Sequence, residues 1–327
     1  MRYLLAILGS CVVISLVALF IGASPVARIF DEKLGMVVPL DGSEVVRFSE
    51  GGARSRFGAH GFNPFVAGKI HDVGQKVFLY GDSFIEALQV ADEAKPDAVM
   101  TRNFNGAAIT FGIGRSGAGL KSFIKRAGCY ELAFGRPVCH VFFVASVRDD
   151  LFHDYGAEPV GEKQLEFSNF VNRFHLNGLL AAYTAGQNLI KADLNFIPGR
   201  RVAFNSRPRG EKDVAAVTRL IVEEIKAKVG APVLIAYCPN VPQMRRGEIL
   251  FENEEDNESQ IFKNIVEKSG IDYFDVTPAL ESLWREKYLF ARGFANAGGP
   301  GSGHLNEEGI EAVFALIANE VRNRHDL

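Results

Sequence analysis

Long runs of basic residues are missing from this chain. Its 36 Lys and Arg against 39 Asp and Glu leave a formal net charge of −3. That removes the electrostatic case for nucleic acid as a partner. Cysteines are few, four in 327 residues, and no CxxC pair or His/Cys cluster occurs. No zinc or other metal site is therefore expected. Cys11 lies in an apolar stretch and Cys238 ends one. Cys129 and Cys139 bracket "YELAFGRPV". Outside the cytoplasm that pair could close a disulfide; the alternative is two unlinked buried thiols. Internal repeats are also absent, which excludes solenoids.

Charge is absent again from Tyr3 to Ala27. Within that stretch, Tyr3 to Gly22 reads "YLLAILGSCVVISLVALFIG". At about 1.5 Å per residue it is long enough for a bilayer core of about 30 Å. A cleaved signal peptide has a shorter apolar stretch, roughly 7–15 residues. We read residues 1–27 as an uncleaved transmembrane anchor. Arg2 before it and Arg28 and Lys33 after it do not fix its orientation.

What is present is a globular composition, 47% hydrophobic and 23% charged. Residues 28–74 are rich in glycine, proline and single charges without clear periodicity. They read as a linker and N-terminal extension lying against the domain. From residue 75 to 327 the pattern is regular. Strands are expected at Val77–Tyr80, Ala107–Phe111, Val138–Ala145, Pro232–Tyr237 and Ile271–Val276. Helix-length segments alternate with them, among them Phe84–Val90, Lys163–Leu194 and Asn306–Arg324. Apolar runs alternating with helices predict an α/β fold, a central parallel sheet covered on both faces.

Four stretches stand where strands end or helices begin. "KVFLYGDSFIEAL" turns from strand to helix at Gly81-Asp82-Ser83. In α/β folds that point is where ligands bind, so Ser83 is a helix cap or a nucleophile. "FGIGRSGAGL" (Phe111 to Leu120) follows the second strand, and "ASVRDDL" (Ala145 to Leu151) follows the third. "GPGSGHLNEEG" (Gly299 to Gly309) precedes the last helix and sets His304 between a glycine-rich loop and that helix. His60, His71, His140, His153 and His175 lack such a setting. Gly112 to Gly117 is a literal GxGxxG, but no acidic residue ends the next strand as a dinucleotide site requires. No cofactor is implied.

In this order the pieces resemble the SGNH (GDSL-like) hydrolase superfamily. "YGDSFIEALQV" looks like its first block, "ITFGIGRSGAG" is similar to the second, "VASVRDDL" falls at the third, and "GHLNEEG" looks like the last. The resemblance implies a three-layer α/β/α, flavodoxin-like sandwich. It implies Ser83 as nucleophile and His304 as general base. The oxyanion donors would be the Ser83 N–H, a loop glycine (Gly114, with Arg115 and Gly117 as the alternatives) and residue 149. Asp149 stands where the family carries asparagine, with Asp150 as its partner, and it donates only if burial keeps it protonated. The family's acidic residue would fall at Gly301 or Ser302, and neither is a carboxylate. A Ser–His dyad is therefore expected, with Ser302 or a remote carboxylate such as Asp275 accepting from His304. Asp82 and Glu86 read as turn and supporting residues. The anchor and "FGAHGFN" are similar to membrane-anchored members, whose domain faces the periplasm. The implied activity is an esterase or O-acyltransferase acting on acylated, for example acetylated, cell-surface carbohydrate. The alternative is a catalytically degenerate domain that binds glycan without turnover.

Overall fold

A computed structural model describes residue 10 and residues 28–47, 50–65, 67–71, 74–152, 211–245, 247–253, 255–297 and 300–327. The expected span Tyr3 to Gly22, apart from Ser10, and the expected helix Lys163–Leu194 lie outside these residues. Among the described residues no helix is long and apolar enough to cross a membrane.

Two antiparallel hairpins come first. β1 (Arg28–Asp31) pairs with β2 (Met36–Pro39), and β3 (Glu44–Val46) with β4 (Arg54–Arg56). A parallel sheet follows, built from β5 (Lys76–Gly81), β6 (Ile109–Gly114), β7 (Cys139–Val144) and β8 (Val233–Tyr237). A small hairpin, β9 (Gln243–Arg245) with β10 (Glu248–Leu250), precedes the last sheet strand, β11 (Asp272–Asp275). Sheet order is β11-β8-β7-β5-β6, every pair parallel. Counting sheet strands along the chain, this is 2-1-3-4-5, the flavodoxin-like order, with its switch point between the first and third strands. Those strands are β5 and β7, which lead into Ser83 and Asp149. All five expected strands are present, shifted by at most a few residues. β7 is buried at every position, so it reads "CHVFFV" without polar alternation, as a strand covered on both faces should.

The helices are α1 (Ser83–Glu86), α2 (Pro96–Asn103), α3 (Leu120–Phe134), α4 (Val147–Phe152), α5 (Glu211–Lys228), α6 (Asp256–Lys268), α7 (Thr277–Lys287) and α8 (Glu307–His325). Phe123, Ile221 and Phe262 from α3, α5 and α6 share one apolar cluster. Val99, Leu280 and Phe314 from α2, α7 and α8 share the cluster on the other face. The helix expected over Phe84–Val90 is shorter. Ala87 turns left-handed (φ 48) with its N–H on the Ser83 carbonyl, and the chain then carries Gln89 and Val90 into the interior.

Residues 28–74 do more than lie against the domain. Leu34, Val38 and Phe62 are buried in the same cluster as Phe78 and Phe111. Asn63 donates from its amide to Asp97 (2.7 Å) and to the Ile85 carbonyl (3.0 Å). Cys129 and Cys139 are free thiols. Cys129 packs on one face of the sheet and Cys139 belongs to the cluster on the other, so the sheet separates them.

Candidate active site

Ser83 sits at the first residue of α1, straight after β5. The tight exit from the strand depends on its neighbours. A Cβ on Gly81 would lie 2.2 Å from Ile85 Cγ1, and one on Gly114 would lie 2.0 Å from the Glu86 N. Glycine at both positions lets α1 press down on the ends of β5 and β6. Asp82 caps the helix by accepting from the Phe84 N–H (2.9 Å). Glu86 accepts from the Ser116 N–H (3.2 Å) and from the Ser116 hydroxyl, tying the glycine loop to the same helix.

His304 arrives from the other end of the chain, two residues before Asn306, the cap of α8. Its Nε2 lies 2.7 Å from Ser83 Oγ. The residue on its far side is one the sequence did not disclose. Glu50, from the extension, places Oε2 2.5 Å from His304 Nδ1 and accepts from the His304 N–H through Oε1 (2.9 Å). A carboxylate only accepts, so Nδ1 carries the proton and Nε2 is left to accept from the serine hydroxyl. The expectation of a Ser–His dyad oriented by Ser302 or Asp275 is corrected here. The acceptor at Nδ1 is Glu50, while Asp275 closes the turn into α7 by accepting from Thr277 N (2.9 Å) and Oγ1 (2.5 Å).

The loop before His304 is shaped for this carboxylate. Gly303 has φ +79, and a Cβ there would stand 2.7 Å from Glu50 Oε1. Gly51, next to Glu50, has φ +72, and its Cβ would fall 2.0 Å from the Gln89 carbonyl. Its N–H donates to Asn296 Oδ1 (2.9 Å), which pins the turn that carries Glu50. The only hints in the sequence were an acidic residue before two glycines and the "GSGH" run, and neither names a partner.

Burial pulls the His304 pKa below its ordinary value, against the charge and hydrogen bond of Glu50, with Arg47 and Arg292 also lowering it. The imidazole is therefore neutral around physiological pH, the form a general base needs. Phe84 packs on its ring (centroids 5.0 Å apart), and the Arg292 guanidinium covers Phe84 at 4.6 Å. Arg292 is itself fixed by donating to the Cys238 (2.8 Å) and Pro239 (3.2 Å) carbonyls.

A cleft of about 290 Å³ lies against the pair, lined by Asp82, Asp149, Asp150, Arg292 and His304 among others. Asp149 is on its rim in α4, exposed, its N–H donating to Ser146 Oγ (3.1 Å). Asp150 is buried and accepts from the Ala145 (3.0 Å) and Ser146 (3.2 Å) N–H groups. Burial, with the charge of Asp82 adding, raises its pKa. Asp82 is pushed up to about 6, chiefly by burial. Gly114 is not among the residues lining the cleft. Its visible part is the packing under α1. Ser302 lies two residues before His304, whose Nδ1 is 2.5 Å from Glu50 Oε2.

Among the other described histidines, His60 pairs with Asp31 (2.6 Å) and His140 with Glu131 (3.1 Å). His71 packs near Phe134 (5.8 Å). His153 and His175 lie outside the described residues. Among the described residues no group of three His, Cys, Asp or Glu could hold a metal.

No protein-family model and no curated protein matches the chain. Among solved structures it is similar to a member of the lipolytic protein G-D-S-L family from Veillonella parvula. There the identity is 13% and the TM-score 0.42, over 77% of this chain and 100% of that one. It is also similar to a carbohydrate acetylesterase from Sinorhizobium meliloti (11%, TM-score 0.42, 77% and 100%). A third is the inhibitor-bound aryl esterase of M. smegmatis (9%, TM-score 0.40, 76% and 99%).

Proposed function

We propose that this chain is a serine hydrolase of ester bonds, working through Ser83, His304 and Glu50. The observation that carries the reading is the continuous hydrogen-bond line from Ser83 Oγ through the His304 ring to a buried carboxylate. A free serine hydroxyl is a poor nucleophile and needs a base within reach. In this reading His304 Nε2 takes the hydroxyl proton as Ser83 Oγ attacks the ester carbonyl. The imidazolium is stabilised by Glu50 and then passes its proton to the departing alcohol. An acyl-serine remains, which water, deprotonated by His304, cleaves to release the acid. The Ser83 N–H is the first oxyanion donor, with Gly114 as the further candidate that the family resemblance suggests; Asp149 is exposed, so the burial on which its donor role depended is missing. A sugar hydroxyl in place of water would make the same site an O-acyltransferase.

The substrate class proposed is acylated carbohydrate, and the site chemistry calls on no cofactor. We further propose that the apolar stretch Tyr3–Gly22 anchors the domain to a membrane, on the strength of its length and lack of charge; the extracytoplasmic side rests on the resemblance to membrane-anchored members alone.

The test is covalent. A fluorophosphonate added to the full chain should modify Ser83, located by peptide mass spectrometry, and His304→Ala should suppress the adduct. An unmodified Ser83, or labelling indifferent to His304, would sink the proposal and favour a domain that binds without turnover.

A further inference from the structure

The first hairpin carries more apolar surface than its place on the domain uses. Side chains paired across β1 and β2 share a face, Ile29 with Val38 and Phe30 with Val37. The face of Val38 turns toward the domain, where Val38 is buried in the same cluster as Leu34. Ile29, paired with Val38, is nevertheless 46% exposed, and Leu40, two residues beyond Val38, is 39% exposed. On the opposite face Phe30 is 49% exposed. Single exposed apolar residues are ordinary. Large ones on both faces of one short hairpin are not accounted for by packing against one domain, and such surface marks contact with a protein or a membrane.

The three sit at one end of the hairpin. Arg28 pairs with Pro39, so Ile29, Phe30 and Leu40 lie toward the open end, and the turn at residues 32–35 closes the other. What adjoins the open end is the charge-free stretch, which runs to Ala27 before Arg28 opens β1. From Gly22, where the expected span ends, to Arg28 is six residues. At about 3.3–3.6 Å each they reach no more than about 20 Å. A span across a bilayer therefore holds this end of the hairpin close to the polar layer, itself about 5–8 Å deep beyond the hydrocarbon. The hairpin is also fastened to the domain. His60 Nδ1 lies 2.6 Å from Asp31 Oδ2, the Lys33 ammonium stands 4.3 Å from the centre of the Phe134 ring, and Leu34 and Val38 are buried.

We propose that the open end of this hairpin, Ile29, Phe30 and Leu40 with Arg28, rests in the headgroup layer of a lipid bilayer. The proposal rests on the reading of Tyr3–Gly22 as an anchor and not on the ester chemistry. The apolar side chains enter the boundary between headgroups and acyl chains, and the Arg28 guanidinium pairs with lipid phosphate. Because the hairpin is fastened to the core, this contact fixes how the domain faces the bilayer. None of the four residues lines the catalytic cleft, so contact and cleft draw on different side chains.

The experiment places the full chain in vesicles of phosphatidylcholine and phosphatidylglycerol, with or without bromine near the headgroup end of the acyl chains. Trp284→Phe removes the one native tryptophan. A single reporter is then introduced, Phe30→Trp in one protein and Tyr288→Trp in another. Tyr288 is 76% exposed and ends α7, which packs on the other face of the sheet. The chain should float with the vesicles. The Phe30→Trp emission should shift to the blue and lose most of its intensity to brominated lipid, while that of Tyr288→Trp keeps its intensity. Leu40→Trp gives the same reading if circular dichroism shows that Phe30→Trp fails to fold. A floating chain whose hairpin reporter ignores bromine, or is quenched no more than Tyr288→Trp, overturns the proposal and leaves the anchor standing. A blue shift that grows with protein concentration and ignores bromine assigns the surface to a second copy and overturns it as well. A chain that stays off the vesicles removes the anchor and the proposal together. None of these outcomes bears on the chemistry at Ser83.

Discussion

At the scale of single residues, the proposed chemistry turns on Glu50. It takes the place at His304 Nδ1 where the sequence offers only Gly301 and Ser302. Its reach is made possible by the missing side chain of Gly303. The carboxylate has two effects of opposite sign on reactivity. It fixes the tautomer and steadies the imidazolium, and it also raises the His304 pKa that burial, Arg47 and Arg292 depress. The acid limb of kcat/KM should therefore have its midpoint below the ordinary histidine value of about 6.5. Glu50→Gln removes the raising influence, so the limb should move further toward acid while the plateau falls. A pH–rate profile of the two proteins reads both. A limb at or above the ordinary value, or one that Glu50→Gln leaves in place, would show that His304 is not the titrating base. Ser83, His304, Asp82 and Glu86 were legible because each lies in a local pattern of strand end, turn and cap. Glu50 was not, because its relation to His304 spans 254 residues and leaves no local trace.

At the scale of elements, the site is where three short connections meet: the β5–α1 turn, the loop before α8, and the Glu50–Gly52 turn of the extension. The first two were legible from glycine next to a periodic helix. The third was hidden, because a hairpin extension with alternating glycines and charges has the same composition as a linker. What makes it a structural element is close approach. Gly51 lies on the Gln89 backbone at a distance no side chain tolerates and with a φ of +72. Gly51→Ala should lift the turn and withdraw Glu50 from His304, lowering kcat toward the Glu50→Gln level while leaving the far-UV circular dichroism intact. Unchanged kcat in Gly51→Ala would mean that Glu50 reaches His304 by some other support. The short length of α1 was missed for a related reason. Sequence periodicity continued past Glu86, but the left-handed turn at Ala87 sends Gln89 and Val90 inward instead.

At the scale of the whole molecule, the sheet order was predictable in class from alternating strands and helices. The union of extension and domain was not. It is sealed by buried polar groups as well as by Phe62. Asp97, fully buried, accepts from Asn63 (2.7 Å), and Lys95, also buried, donates to the Arg56 carbonyl (3.1 Å). Burial pushes Asp97 up to about 6 from 3.8. A carboxyl whose folded-state pKa is raised stabilises the fold below its unfolded pKa and loses that contribution as pH rises through the folded value. From about pH 4 to about pH 6 stability should decline by up to about 3 kcal/mol through this group. In Asp97→Asn, which keeps an acceptor for Asn63, that share of the slope should vanish. Urea denaturation across this range measures it, and an equal slope in both proteins would refute the assignment.

The account stands or falls on one hydrogen-bonded line, Ser83 to His304 to Glu50, and p-nitrophenyl acetate turnover by the full chain tests it most directly. The wild type should hydrolyse the ester. Ser83→Ala and His304→Ala should abolish turnover, and Glu50→Gln should lower kcat by roughly 10²–10⁴-fold. Wild-type turnover no greater than that of Ser83→Ala, or a Glu50→Gln variant as fast as wild type, would contradict it.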